Sequence, residues 1–362
     1  MGNFLENIPL ILTVFFFICF IFSVLINNIL LKFAQNLGTR GKQANQVRWN
    51  PAIKPSLGGI SFFVVFLLSY IFINLIQTLD TAYRVRLTGI LAVCTMAFLM
   101  GLADDAFNTQ PLLKFLTQIT CALVLLFTGT YIKIFENEFF NYMITIIWIV
   151  GIMNSINMLD NMDGITTIVS ISVCVFFILV NVSLKQMIHP FSILSIGVLA
   201  ALSGFLIYNF HPSKMFMGDT GSQFLGVFLG SVAIHFCWNN FPQNLIDTNE
   251  QLYHFAIVGL VFLLPLSDTF TVVINRVMKG NSPFIGGKDH TTHHLFFKGV
   301  TEKRIAVLYC GLSLIGAFLA YKLVLTYSDT LFWMSISFVV LVFLALYINT
   351  KVKKVDKQDP KG

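Results

Sequence analysis

The feature that most constrains this 362-residue chain is a recurring length. Apolar windows of about 20 residues, each enough to cross a bilayer as a helix, follow one another with centres near Phe20, Phe66, Cys94, Leu123, Ile147, Val173, Leu199, Leu229, Val261, Leu314 and Val339. With 56% hydrophobic and only 11% charged residues, the chain has more apolar surface than a soluble core of this size could bury. Backbone in hydrocarbon must satisfy its own hydrogen bonds. The expected fold is therefore an all-α integral membrane protein, a polytopic bundle of about 11 transmembrane helices. No linker or low-complexity stretch divides it, so residues 1–350 read as one transmembrane domain and 351–362 as a basic tail.

The opening "MGNFLENIPL" has Glu6 where a cleavable signal would have basic residues, so the first apolar run reads as a retained helix. Glu6 also breaks the myristoylation pattern at Gly2. Six cysteines lie in or beside apolar windows with no CxxC pair, which makes them small hydrophobes rather than a disulfide framework or zinc site. If the N-terminus is outside, 18 of the 23 Lys and Arg fall on one side of the membrane, leaving only Arg84, Arg86, Lys133, Lys185 and Lys322 opposite. The positive-inside rule then predicts an external N-terminus and a cytoplasmic C-terminus. The net charge of +6 is accounted for by anionic membrane lipid or an anionic substrate and calls for no nucleic-acid partner.

Unusual polar residues gather in the connections on that basic side. They are "GLADDAFNTQPLLK" with Asp104, Asp105 and Lys114, "NSINMLDNMDG" with Asn157, Asp160 and Asp163, "FMGDTGS" with Gly218, Asp219 and Ser222, and "NRVMKGNSPFIGGKDHTTHHL" with Arg276, His290, His293 and His294. A single Asp at a helix end is ordinary. Five acids converging at the ends of apolar helices repel one another unless a cation holds them, and oxygen ligands without cysteine favour a hard ion such as Mg²⁺. The glycines flanking Asp219, just before an apolar helix, predict a phosphate cradle at a helix N-terminus. The histidines, Arg276, Lys279 and Lys288 add donors and positive charge for that phosphate. In "NSINMLDNMDG" each step of three turns an α-helix by −60°, so Asn154 through Asp163 cannot all face one site from an unbroken helix. The spacing predicts a break over Asp160 to Gly164 that turns Asp160 and Asp163 into one pocket, with Asn154 left to pack or cap.

From "KPSLGG" at 54–59 through His294, these motifs in this order resemble the polyprenyl-phosphate N-acetylhexosamine-1-phosphate transferases of glycosyltransferase family 4. That family's members make the first lipid-linked sugar of bacterial envelope polymers such as lipopolysaccharide or wall polysaccharide. The resemblance implies an enzyme of the bacterial cytoplasmic (inner) membrane with its active site facing the cytoplasm. It would transfer N-acetylhexosamine 1-phosphate from a UDP-N-acetylhexosamine to undecaprenyl phosphate, with Mg²⁺ or alternatively Mn²⁺, and as a homodimer in many members. Carried over by position, Asp104, Asp105, Asp160, Asp163 and Lys114 are implied as catalytic. Asp219 is implied as the principal metal ligand, joined by Asp105. Asn157, Gly218, Ser222, Arg276, His290, His293 and His294 are implied as substrate-binding. Two departures stand out. Asn161 occupies a position where many members have Gly, and "HTTHH" replaces the usual His-x-His-His, which leaves the part of His290 open. The lack of three consecutive histidines favours UDP-N-acetylglucosamine as donor over UDP-N-acetylmuramoyl-pentapeptide.

A membrane transporter is the alternative from another class, since intramembrane acids and broken helices such as "LLPLSD" also mark ion pathways. A transporter would place its polar groups near the midplane. Asp268 within that segment reads equally as a helix-packing hydrogen bond or as a partner of Arg276, and Lys322 as a side chain reaching for the membrane surface.

Overall fold

The computed structural model describes residues 7–36, 54–184, 188–239, 250–282, 287–326 and 328–351. The basic residues expected at 37–53 and in the tail after 351, and part of the loop at 283–286, lie outside the described residues. The helices, in chain order, are α1 (Ile8–Asn36), α2 (Gly58–Ile76), α3 (Thr81–Phe107), α4 (Pro111–Phe127), α5 (Glu138–Leu159), α6 (Ile165–Ser183) and α7 (Pro190–Asn209). There follow α8 (Gly218–Ala233) with a π-helical turn at Ile234–Asn239, α9 (Glu250–Val261), α10 (Leu263–Met278), α11 (Thr291–Phe297), α12 (Glu302–Thr326) and α13 (Asp329–Lys351). Among the described residues, nine helices are long and apolar enough to cross a membrane. A bent pair, Gln251–Val261 with Leu263–Met278, makes up to ten. The eleventh expected window, centred on Leu123, is the 17-residue α4. The architecture is that of a polytopic, all-helical membrane protein, with one expected span broken at 86° and another short.

Composition sorts the helices between core and lipid. In α8, 94% of the apolar window is buried, against 22% in α1 and 17% in α13. The reason is written in "GDTGSQFLGVFLGSVA": small residues let neighbouring backbones approach, which is how membrane helices associate without a hydrophobic drive. Trp148 of α5 anchors α8 by donating its indole N–H to the Gly230 carbonyl at 3.0 Å. Gly59 of α2 donates its backbone N–H to the Met217 carbonyl at 3.1 Å, so close that a Cβ on Gly59 would strike the Gly221 backbone. All six cysteines are free thiols, five of them buried. Lys322 is exposed and reaches over the Phe318 ring at 5.7 Å.

The connectivity places the polar motifs together. The C-terminal ends of α3, α5 and α7 and the N-terminal ends of α2, α4, α8 and α12 meet at one end of the bundle, through contacts among Asp104, Lys114, Asn157, Asp163, Ser213, Asp219 and Glu302.

Candidate active site

The expected break in "NSINMLDNMDG" is present: α5 stops at Leu159, Asp160 caps it, and Gly164 begins α6 at φ 78. Asn154, one and a half turns earlier than Asp160, packs within the bundle by donating to Gln118 Oε1 at 2.7 Å. Asn157 faces the acids, donating at 2.8 Å both to Asp219 Oδ1 and to the buried Ser222 hydroxyl.

Lys114 enters from the first turn of α4. Its Nζ lies 2.5 Å from Asp104 Oδ2 and 2.7 Å from Asp219 Oδ2. The other oxygen of Asp104 accepts the Thr109 backbone N–H at 2.9 Å and its hydroxyl at 2.6 Å. Asp104 is thereby fixed at 2% exposure, while the Asp219 side chain keeps 27% and is the accessible carboxylate of the pair. Asp160 stands partly buried beside them. Burial first, then the charges of Asp219 and Asp105, push its carboxyl up to about 8. One ammonium thus serves a group of acids that repel one another, which is the environment a divalent cation relieves.

Asp105, expected as a metal ligand, holds the N-terminus of α8 in this structure. Its Oδ1 accepts the Asp219 backbone N–H at 3.0 Å, and its Oδ2 accepts the Thr220 N–H at 2.9 Å and the Thr220 hydroxyl at 2.7 Å. This corrects the phosphate-cradle expectation: the anion on these helix N–H groups is Asp105 itself. Gly218, expected at the substrate, makes room for that contact, because it sits at φ 73 and a Cβ there would meet Asp105 Oδ2.

Asp163 has partners of its own across the break, although its charge still acts on the Asp160 carboxyl. Asp163, 5% exposed, accepts the Ser213 N–H at 3.0 Å and hydroxyl at 2.7 Å, and lies 3.5 Å from Lys54 Nζ and 3.3 Å from His211 Nδ1. His211 in turn is 2.9 Å from Glu302. Asp163, His211 and Glu302 bring ligand atoms within 4.8 Å of one another, but Asp163 already accepts from four atoms and one is an ammonium, so the trio reads as an ion-pair network. It pins the 211–216 segment, which also pairs with 55–58 through Phe216 N–H to Pro55 O at 3.0 Å and Gly58 N–H to Phe216 O at 3.1 Å. Sequence reading missed Lys54, His211, Ser213 and Glu302 as members of this network; the paired segments are about 160 residues apart in the chain, and no local pattern announces them.

The histidine segment sits beside the same turn. His293 Nε2 lies 3.3 Å from the Asn161 carbonyl, and the Thr292 hydroxyl donates to Asn161 Oδ1 at 2.5 Å. Burial, with His290 as the next cause, pulls the His293 imidazole down to about 4 and keeps it neutral. His290 contacts Asp268 at 2.8 Å. His294 is partly buried beside Phe297. Arg276 does not meet Asp268, which removes that pairing. Its guanidinium forks onto Asp289 at 2.8 and 2.7 Å, and this partner holds the Asp289 carboxyl below its usual range although burial opposes it. Arg276, expected as a phosphate donor, is buried here and braces the histidine loop through Asp289.

Residues 87–237, which hold Asp104 through Ser222, match the family described as glycosyl transferase family 4. The chain is 28% identical over 367 residues, covering 96% of itself and 95% of the relative, to a protein of Bacillus subtilis (strain 168) named probable undecaprenyl-phosphate N-acetylglucosaminyl 1-phosphate transferase. A decaprenyl-phosphate N-acetylglucosaminephosphotransferase of Mycolicibacterium smegmatis is 28% identical over 81% of this chain and 77% of its own. A phospho-N-acetylmuramoyl-pentapeptide-transferase of Staphylococcus aureus (strain JH9) is 30% identical over 79% of this chain and 89% of its own. The family match over the acidic motifs, together with relatives of up to 30% identity along most of the chain and the helical membrane fold, means that this chain belongs to glycosyl transferase family 4.

Proposed function

We propose that this enzyme transfers N-acetylglucosamine 1-phosphate from UDP-N-acetylglucosamine to undecaprenyl phosphate, releasing UMP, in the bacterial cytoplasmic membrane with its site facing the cytoplasm. The observation that carries the reading is the assembly of Asp104, Lys114, Asn157, Asp160 and Asp219 at one end of the helices, in a chain of a family whose named members act on polyprenyl phosphates. The one-sided assembly disfavours the transporter reading, which needs polar groups near midplane. The basic bias of that side supports a cytoplasmic position. Residues 1–350 would act as one catalytic domain.

The acid cluster fits a Mg²⁺ ion, because Asp104 and Asp219 share one ammonium, and burial, with the charges of Asp219 and Asp105, drives the neighbouring Asp160 toward its neutral form. Asp219, the more accessible, would hold it with Asp104 and Asp160 beside it; when bound, the ion neutralises diphosphate oxygens and stabilises departing UMP. The remaining steps belong to the protein. A phosphate monoester has its second pKa near 6, so the lipid phosphate is largely ionised and needs positioning more than a strong base. Its oxygen attacks the phosphorus that bears the sugar, a new P–O bond forms, and the bond to UMP breaks in line. Lys114 holds Asp104 and Asp219 in one geometry, and Asn157 orients Asp219. The buried faces of α5 and α8 wall the site on the bundle side.

The test is purified protein with Mg²⁺, undecaprenyl phosphate and a panel of UDP-sugars, reading UMP. Release fastest with UDP-N-acetylglucosamine is the expected result. Preference for UDP-N-acetylmuramoyl-pentapeptide would reassign the donor, and no UMP from any donor would remove the transferase reading. Isolation of a chemically competent phosphosugar adduct on Asp would replace the one-step route.

A further inference from the structure

Asp268 follows the 86° bend between α9 and α10, and its side chain has no exposure. One oxygen, Oδ1, accepts the Thr291 backbone N–H at 2.8 Å and the Thr291 hydroxyl at 2.5 Å. Thr291 Oγ1 also lies 2.7 Å from the Tyr309 hydroxyl. A hydroxyl has a single proton. That of Thr291 goes to the carboxylate, so Tyr309 donates to Thr291, and a buried chain runs from α12 through α11 to α10.

The second oxygen, Oδ2, faces His290 Nδ1 at 2.8 Å. A neutral imidazole carries one N–H, and a nitrogen this close to a carboxylate oxygen must carry it. His290 Nε2 is then left with the lone pair. His293 is held the other way round, because its Nε2 faces a carbonyl, an acceptor only, and so carries the proton. The two rings sit 5.3 Å apart and at 84°. Neighbouring histidines of one motif are thus set in opposite tautomers by different partners.

We propose that Asp268 is a positioning residue for the phosphosugar transfer: it locks the His290 proton on Nδ1, so that His290 offers Nε2 as an acceptor to a proton-bearing group of the substrate. The proposal rests on the transferase reading for its substrate and on the hydrogen bonds alone for its tautomer. It revises the expectation that all the histidines donate to phosphate, since His290 in the Nδ1–H tautomer has no proton on Nε2 to give. A mere cap for α11 would be satisfied by Oδ1. An asparagine at 268 separates the two tasks. Its oxygen can still serve Thr291, while its NH₂ must donate where Oδ2 accepted, which makes Nδ1 of His290 the acceptor and moves the proton to Nε2.

The experiment uses full-length protein in detergent, with ¹⁵N-labelled histidine and His290 assigned by its loss in His290→Gln. The wild type should show the Nδ1–H form of His290, Asp268→Asn the Nε2–H form, and Thr291→Val the wild-type form. UMP release should fall by about tenfold or more in Asp268→Asn, the scale at which groups that orient a functional histidine act. The double variant Asp268→Asn/His290→Gln should be no slower than His290→Gln alone. An Nε2–H wild type would overturn the proposal without any variant, and so would a switched tautomer with full turnover. A wild type that releases no UMP while holding the Nδ1–H form would sink the transferase reading and the catalytic half of the proposal, and leave the tautomer assignment standing.

Discussion

Asp105 and Thr220 are joined twice: the same carboxylate oxygen accepts the backbone N–H of Thr220 at 2.9 Å and its hydroxyl at 2.7 Å. One end of α3 thereby acts as the cap of α8, and the accessible carboxylate, Asp219, is held by the same cap through its own N–H at 3.0 Å. Asp105→Ala should cost about 1 kcal/mol or somewhat more, the usual loss for a helix cap, and abolish UMP release by freeing Asp219. Asp105→Asn keeps one accepting oxygen and should lose less stability. Gly218→Ala should reproduce the Asp105→Ala defect, because a Cβ at φ 73 meets Asp105 Oδ2. Thermal unfolding beside UMP release checks all three, and a Gly218→Ala enzyme with wild-type values would show that the cap does not position Asp219.

Lys114→Met removes the ammonium that bridges Asp104 and Asp219. Turnover should drop by about 10²- to 10³-fold, as when a preorganised charge is deleted. Apparent affinity for Mg²⁺ should rise, since the two carboxylates lose their resident counter-charge. Turnover titrated against Mg²⁺ separates the two effects. An unchanged or weakened Mg²⁺ dependence would remove Lys114 from the ion's surroundings.

Much of this site could be read in the chain because the membrane makes polar residues expensive. A carboxylate at the end of an apolar helix needs a partner, so Asp104, Asn157 and Asp219 announced themselves, and helical arithmetic located the break at Asp160. Partner choice was not legible. Asp105 and Asp104 are adjacent and identical, yet one meets Lys114 and the other the N-terminus of α8. Asp268 faced equal alternatives, and the bend after Val261 decided for His290, while Arg276 took Asp289. The same holds for Asp163, whose partners Lys54 and Ser213 come from segments that meet only when α2 and α8 pack.

Asp160 makes stability depend on pH in a definite direction. Its carboxyl is pushed up to about 8 in the folded protein, from 3.8 for the free group. The native state therefore binds more protons than the unfolded one between those values, and stability must fall as pH rises through them. In chelator, the apparent Tm should decline steadily from pH 5 to 9. Asp160→Asn should flatten much of that decline, and saturating Mg²⁺ should flatten it in the wild type by compensating the ionised carboxyls. A Tm that rises with pH in chelator would contradict the assigned environment of Asp160.

Asn161 departs from the Gly common at its position in the family, and the structure gives it work to do. It is not among the described residues with positive φ, so the turn does not require glycine there. Its side chain donates to the Met158 carbonyl at 2.9 Å and accepts from Thr292 at 2.5 Å, while its own carbonyl meets His293. Asn161→Gly deletes the first two bonds and keeps the third. Each is worth about 1 kcal/mol, and their loss releases one of the ties between α11 and the turn that carries Asp160. KM for the UDP-sugar should rise several-fold with kcat changed less, because the histidine segment is loosened and the acid cluster is not. Steady-state kinetics of Asn161→Gly and Thr292→Val, which share the loss of one contact, should shift in the same direction, and less in Thr292→Val, which keeps the Asn161 bond to Met158. A fall in kcat at constant KM would place Asn161 with the acids instead of with the histidine segment.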